Sequence, residues 1–246
     1  MAHAALLQSA IIDETRRVRS HYDQASAAYN HSLGNSGGRG PAGRFRRLMK
    51  LFPAELLHAD RPVLEIGCGT GLYSRYLQSL FGGRYHGCDL SPGMLRVAQD
   101  GGMGALAAAD ATRLPFADHS VCAVFAFGVL HHVPDTPRVF NEVHRVLQPG
   151  GAFLLMEPNR LNPCNVALGM MRPIERGMLA AHRERWRREA QASGLTLCGR
   201  SRGAFLPSCP RVLDKLYDAS EWLLERTPIL RDFAIFDLMA YRKIAP

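Results

Sequence analysis

Four short stretches place chemistry-bearing residues at the ends of apolar runs. In VLEIGCGTG, residues 63–71, an apolar run holding one acid, Glu65, gives way to Gly67, Gly69 and Gly71 at alternate positions. Backbone without Cβ atoms turns sharply and lets a ligand lie against it, while the N–H groups of the turn point at whatever sits there. Asp89 ends the next apolar run, where a carboxylate can accept from both hydroxyls of a ribose. Asp110, in AADATRLPF, pairs a carboxylate with an adjacent backbone N–H, the acceptor and donor that an adenine edge requires. GVLHHV carries His131 and His132, imidazoles that titrate near neutral pH and are the best general-base candidates. Neighbouring residues point different ways, so only one of the pair is expected to face a bound ligand.

Each stretch also has a plainer use. The glycines could form a turn with no ligand, and Asp110 could be a turn residue. The histidines could be hydrogen-bonded support for their loop. Asp89 could cap a helix beginning at Ser91-Pro92, and the expectation is that one carboxylate cannot both cap and bind.

Elements must carry these residues to one place. From residue 61 onward, short apolar runs alternate with helical segments, the signature of strand-helix-strand units in a parallel sheet. Strands are predicted at 62–66, 84–89, 104–109, 121–127 and 152–157, with helices at 72–81, 92–100 and 136–147. Pro149-Gly150-Gly151 reads as the stop and turn after the last of these. A helix at 175–193, a strand at 195–205 and the run FAIFDLMAY, 233–241, complete the prediction. The fold class is α/β: a seven-stranded, mostly parallel, doubly wound Rossmann-like sheet with helices on both faces and an N-terminal helical cap. The cap is 1–52: a helical stretch over 4–30 with Tyr22 and Tyr29 on one face, a flexible loop at 31–43 (HSLGNSGGRGPAG), and a helix from Arg44. The main domain is 53–246. Proline-rich insertions at 158–174 and 206–231 follow strand ends, where an open α/β sheet builds its ligand contacts.

Composition limits the rest. At 246 residues, 47% hydrophobic and 21% charged, the chain can bury the core of one large domain. No run of about 18 uncharged apolar residues exists, and the N-terminus reverses the charge order of a secretory signal, so a cytoplasmic protein without a transmembrane segment is expected. The six cysteines are widely spaced and show no zinc-type pairing; reduced, mostly buried thiols and no metal site are expected. The net charge of +8 comes largely from RFRRLMK and HRERWRRE, which read as solvated helix faces, so no nucleic-acid partner is expected. A monomer or homodimer is expected.

VLEIGCGTG, CDLSPGML, DATRLPFADHSV, FGVLHHV and EVHRVLQPGG follow in this order. With them the chain, over about residues 22–153, resembles the class I S-adenosylmethionine-dependent methyltransferases, in particular the small-molecule group called type 11. The spacing differs from the GxGxxG of nicotinamide enzymes. The resemblance implies S-adenosyl-L-methionine as cofactor. It places Glu65, Gly67, Cys68, Gly69 and Gly71 in the motif around the amino-acid portion, Asp89 on the ribose, Leu90 and Met94 on adenine, and Asp110 with Ala111 at the adenine edge. Phe127 falls near the methionine moiety, His132 is a further cofactor-binding candidate that in such proteins is often a structural element of its motif, and Tyr22 and Tyr29 match aromatic positions that cover the cofactor. His131, His132 and Tyr22 are the catalytic candidates, and the partner implied is a small-molecule methyl acceptor. O- or N-methylation of a secondary metabolite is the leading expectation. The alternatives are C- or S-methylation of a quinone, lipid-like or thiol substrate, or a non-catalytic cofactor-binding scaffold. Phe205, Met170, Met171, Tyr217 and Trp222 are available to line an apolar acceptor pocket.

Overall fold

The computed structural model describes residues 2–32, 39–203 and 231–244, together with 215, 219, 222, 223, 226 and 227. Phe205, Cys209, Tyr217 and most of 206–231 therefore lie outside the described residues, as does 33–38 of the expected loop. Seven strands form one sheet: β1 (Val63–Ile66), β2 (Tyr85–Asp89), β3 (Leu106–Ala108), β4 (Val121–Phe127), β5 (Leu147–Pro158), β6 (Leu195–Gly203) and β7 (Phe236–Lys243). Their order is β3-β2-β1-β4-β5-β7-β6. The first five run parallel, and β7 is antiparallel to both β5 and β6. This is the mostly parallel, seven-stranded α/β sheet expected.

Both faces of the sheet are covered, which is why its strands are apolar on both sides rather than alternating. On one face Leu64, Ile66, Val124, Phe153 and Leu155 pack with Val139, Phe140 and Val143 of α5 (Thr136–Val146) and with Trp186 of α8 (Arg183–Ala192). On the other, Val63, Phe125 and Leu154 meet Phe45 and Leu48 of α2 (Arg39–Met49) and Leu77 and Phe81 of α3 (Ser74–Phe81). Phe125 is stacked on Phe52 at 5.7 Å and tilted against Phe81 at 5.9 Å; burying such a ring contributes roughly 2–3 kcal/mol. The expected 1–52 unit thus divides: α2 is part of this core layer, whereas α1 (Ala2–Ser32) crosses over α4 (Pro92–Asp100).

Register sets the site. Ile66 is level with Cys88 on one side and Ala126 on the other, and Phe127 with Met156. The carboxyl ends of β1, β2, β4 and β5 therefore finish together. The chain moves from β1 to β2 and β3 on one side and takes up β4 and β5 on the other, so the order reverses between β1 and β4, the position where open α/β sheets bind ligands.

Several predicted bounds are corrected. The N-terminal stretch is one continuous helix, and α2 begins at Arg39, so 39–43 is helical. Its proline, Pro41, lies in the first turn, where no intrahelical N–H partner is lost. Pro149-Gly150-Gly151 makes no separate turn: α5 ends at Val146 and β5 starts at Leu147, the three residues being absorbed in a register shift opposite Val121 and Ala123. The helix predicted over 175–193 is broken into a 3-10 turn (Pro173–Glu175), α7 (Gly177–Ala180) and α8. Extended backbone at Ala181 and His182 ends α7, and the His182 ring accepts from Glu184 N–H to start α8. Inside 158–174 the chain forms α6 (Pro163–Met171), whose Asn162 side chain caps the N–H groups of Cys164 and Asn165.

Candidate active site

The β1 turn is held in a left-handed conformation, with φ of 65° at Gly67 and 54° at Gly69. At Gly67 an added Cβ would collide with the Val129 methyl groups, so the glycine lets the β1 and β4 loops touch. At Gly69 an added Cβ meets nothing within 4 Å, which leaves backbone bare toward a space.

Asp89 closes that turn from β2. One oxygen accepts from Gly69 N–H at 2.7 Å and the other from Ser91 N–H at 2.9 Å. The helix cap is Ser91, whose hydroxyl accepts from Met94 N–H at 3.1 Å. Asp89 is therefore not itself the cap of that helix, and each of its oxygens, with about two acceptor sites, gives one to a backbone N–H here. Burial raises the Asp89 pKa, and the two N–H bonds act against that rise. Asp110 accepts from both the N–H and the hydroxyl of Thr112, each at 2.8 Å and both on Oδ1.

The histidine loop is clamped by a residue that no motif singled out. Glu157, fully buried at the end of β5, accepts from Val129 N–H at 2.7 Å and Leu130 N–H at 2.8 Å on one oxygen. Its other oxygen takes His131 Nδ1 at 2.8 Å and His131 N–H at 3.3 Å. Burial opposes charge on His131, but Glu157 and then Glu175 outweigh it and lift the ring to about 9. His132 is held well below the ordinary histidine value, first by burial and then by His131. The two rings thus face differently, as expected of neighbours: His131 turns to Glu157, while His132 Nε2 lies 2.7 Å from the Tyr22 hydroxyl.

Tyr22 arrives on α1. Asp23, its neighbour, accepts from the Ser91 hydroxyl at 2.6 Å and Gly93 N–H at 2.9 Å, a carboxylate at the start of α4, where the helix dipole favours it. That contact fixes α1 over the sheet edge and sets Tyr22 and Tyr29 edge-on at 5.8 Å. Burial pushes both phenols up, Tyr29 to about 12.

Together these residues enclose a cavity that opens to solvent, about 870 Å³ with its open mouth included. Gly67, Gly69, Asp89, Leu90, Met94, Asp110, Ala111, Phe127, His132, Tyr22 and Tyr29 all line it. Thr15, Val18 and Arg19 of α1 and Ser91 add to the wall; nothing in a motif marked them, because only the fold brings α1 there. Glu65, Cys68, Gly71 and His131 are not in the lining. Glu65 is buried beside the turn and accepts from the Ser74 and Tyr85 hydroxyls, each at 2.7 Å; burial lifts its carboxyl to about 7. Met170, Met171 and Trp222, available by type to line an acceptor pocket, are 71%, 80% and 56% exposed and are not in this lining.

The chain matches a family model described as a methyltransferase domain over residues 64–155. It is 33% identical over 119 residues to methyltransferase GfsG of Streptomyces halstedii, covering 46% of this chain and 43% of that one. It is 35% identical over 128 residues to the ubiquinone/menaquinone biosynthesis C-methyltransferase UbiE of Pseudomonas aeruginosa, covering 47% and 50%. The match thus spans about half the length of these curated relatives or less. The solved structure of Haemonchus contortus phosphoethanolamine N-methyltransferase 2 in complex with S-adenosyl-L-methionine superposes with a TM-score of 0.64 at 22% identity, over 91% of this chain and 57% of that one. At that identity the likeness is one of fold.

Proposed function

We propose that the chain is a class I S-adenosylmethionine-dependent methyltransferase of type 11, a reading supported by the match of residues 64–155 to a methyltransferase-domain model, and that it binds S-adenosylmethionine and methylates a small molecule. One observation carries the reading: the cavity at the order-reversal of the sheet is lined by bare Gly69, a two-oxygen acceptor at Asp89, and Asp110 with Ala111. The fit is chemical as well as spatial. Asp89 has an acceptor site left on each oxygen for a vicinal diol, Met94 and Leu90 offer apolar surface beside it, and Asp110 and Ala111 N–H offer the acceptor-donor pair of an adenine edge.

When bound, the cofactor supplies a methyl group on a positively charged sulfur. The chain's own work is then orientation. Alignment of two reactants is worth about 7–11 kcal/mol at best, and the rigid parts of this cavity are the ones that provide it. Asp23 pins α1 to α4, which covers the cavity and excludes water. Glu157 holds three successive N–H groups of the loop after β4 and so fixes where Phe127, Val129 and His132 stand. The Tyr22 hydroxyl and His132 are the polar pair on that wall, placed to hydrogen-bond an acceptor heteroatom and aim its lone pair. The acceptor class supported best is a small molecule methylated on oxygen or nitrogen. The identity shared with the quinone-pathway C-methyltransferase keeps a carbon acceptor as the second reading.

The test is calorimetric titration of the chain with S-adenosylmethionine, S-adenosylhomocysteine and NAD⁺. Micromolar binding of the first two and none of NAD⁺ is expected; NAD⁺ binding without the sulfur nucleotides would overturn the reading.

A further inference from the structure

We propose that His131, His132 and Glu175 form a site for one divalent transition-metal ion of the zinc type, at the wall of the cavity and independent of the cofactor reading. One ring nitrogen of His131, one of His132 and a Glu175 oxygen lie within 4.8 Å of one another, and both Nε2 atoms approach the same Glu175 oxygen. The glutamate oxygen is 3.5 Å from the first nitrogen and 3.7 Å from the second. Ligands about 2.0–2.2 Å from a tetrahedral zinc ion stand roughly 3.4 Å apart, so a small closure of the trio completes the geometry.

The second observation is what these atoms lack. The His131 side chain is 3% exposed and that of Glu175 16%, and both His131 Nε2 and Glu175 Oε2 are buried without a hydrogen-bond partner. Buried polar atoms are nearly always paired, and two that converge on one point call for an occupant. Charge says the same. Glu157 and Glu175 bring two carboxylates to the two rings, and no lysine or arginine is paired with either among the described ion pairs.

The outer contacts are those of a metal centre. His131 Nδ1 donates to the buried Glu157 carboxylate at 2.8 Å, which turns Nε2 to the trio, and an ion bound there would displace any proton on Nε2. A carboxylate behind a ligating histidine orients the ring and raises its basicity. The Tyr22 hydroxyl is hydrogen-bonded to His132 Nε2 at 2.7 Å on the cavity wall, a bond that would give way when that nitrogen takes the ion. Such an ion would tie the 3-10 turn carrying Glu175 to the loop after β4. Gly177 already lets these two segments touch, since a Cβ there would collide with the His131 carbonyl.

The test uses the purified chain, stripped with a chelator and titrated with Co²⁺ and with Zn²⁺. One equivalent of bound metal is expected, with visible d–d absorption of tetrahedral Co²⁺. His132→Ala and Glu175→Gln should each weaken Zn²⁺ binding at least 100-fold. Glu157→Gln, which leaves the three ligands in place, should weaken it about 10- to 100-fold. Circular dichroism and thermal melts of each variant establish that it is folded. Absence of Co²⁺ absorption and of Zn²⁺ binding below millimolar in the wild type would overturn the proposal. So would binding that survives both ligand substitutions, or imidazole ¹⁵N resonances showing His131 doubly protonated and unmoved by added Zn²⁺. None of these outcomes touches the cofactor reading, which the nucleotide titration decides separately.

Discussion

Replacing Asp89 by alanine removes two hydrogen-bonding sites that the free structure leaves available. Each Asp89 oxygen gives one site to a backbone N–H, of Gly69 at 2.7 Å and of Ser91 at 2.9 Å, and keeps another for a ribose hydroxyl. A hydrogen bond to a charged group contributes about 1.5–3 kcal/mol, so two lost bonds amount to roughly 3–6 kcal/mol. Water entering the vacated space offsets part of this, and the low end, about 3 kcal/mol, is expected. That is a loss of roughly 100-fold in S-adenosylmethionine affinity. Asp89→Asn should fall between, because its amide nitrogen must face one of the two backbone donors. The assay is calorimetry with S-adenosylmethionine and S-adenosylhomocysteine, run beside thermal melts of each variant. A Kd for Asp89→Ala within threefold of wild type, with Tm maintained, would refute the ribose assignment.

Three further outcomes follow from the same geometry. Glu65, raised from 4.5 to about 7, keeps its proton in the folded state after the unfolded chain has lost it. The wild type should therefore lose stability relative to Glu65→Gln as pH rises from about 4.5 to about 7, by on the order of 3 kcal/mol in all; denaturant unfolding at pH 5 and pH 8 measures it, and a pH-independent difference refutes it. Gly67→Ala combines left-handed strain with the Val129 collision and should cost about 3 kcal/mol of stability. Gly69→Ala should cost only about 1 kcal/mol while weakening cofactor binding; equal melts for the two variants would contradict this. Tyr22→Phe should lower kcat roughly tenfold with S-adenosylmethionine affinity unchanged, once an acceptor is in hand, and an unaltered kcat would remove Tyr22 from the acceptor's contacts.

The sequence alone was enough for the strand-helix alternation, because apolar runs bounded by turn residues are local signals, and six of the seven strands start within three residues of their predicted starts; the fifth, Leu147–Pro158, starts earlier. It was enough for α4, whose Ser91-Pro92 start is a local cap. It was also enough for the residues at the carboxyl ends of β1, β2 and β4, since in a parallel sheet those ends share an edge whatever the connections do. Residues 175–193 were misread because a helical pattern of charges over-runs the break at Ala181, a buried position whose extended backbone is set by packing against the core.

Contacts between segments far apart in the chain lie beyond any local signal. Glu157 reads as one acid at a strand end until β5 lies beside β4 and its carboxylate meets three N–H groups of the neighbouring loop. Asp23 reads as a polar residue of a long helix until α1 docks on Ser91 and Gly93. Glu175 stands more than 40 residues from the histidines it approaches, beyond any spacing a ligand motif could show. Periodicity and turn chemistry are written in neighbours along the chain. A buried carboxylate's partners are chosen by which surfaces the core brings together, and that choice exists only once the sheet is assembled.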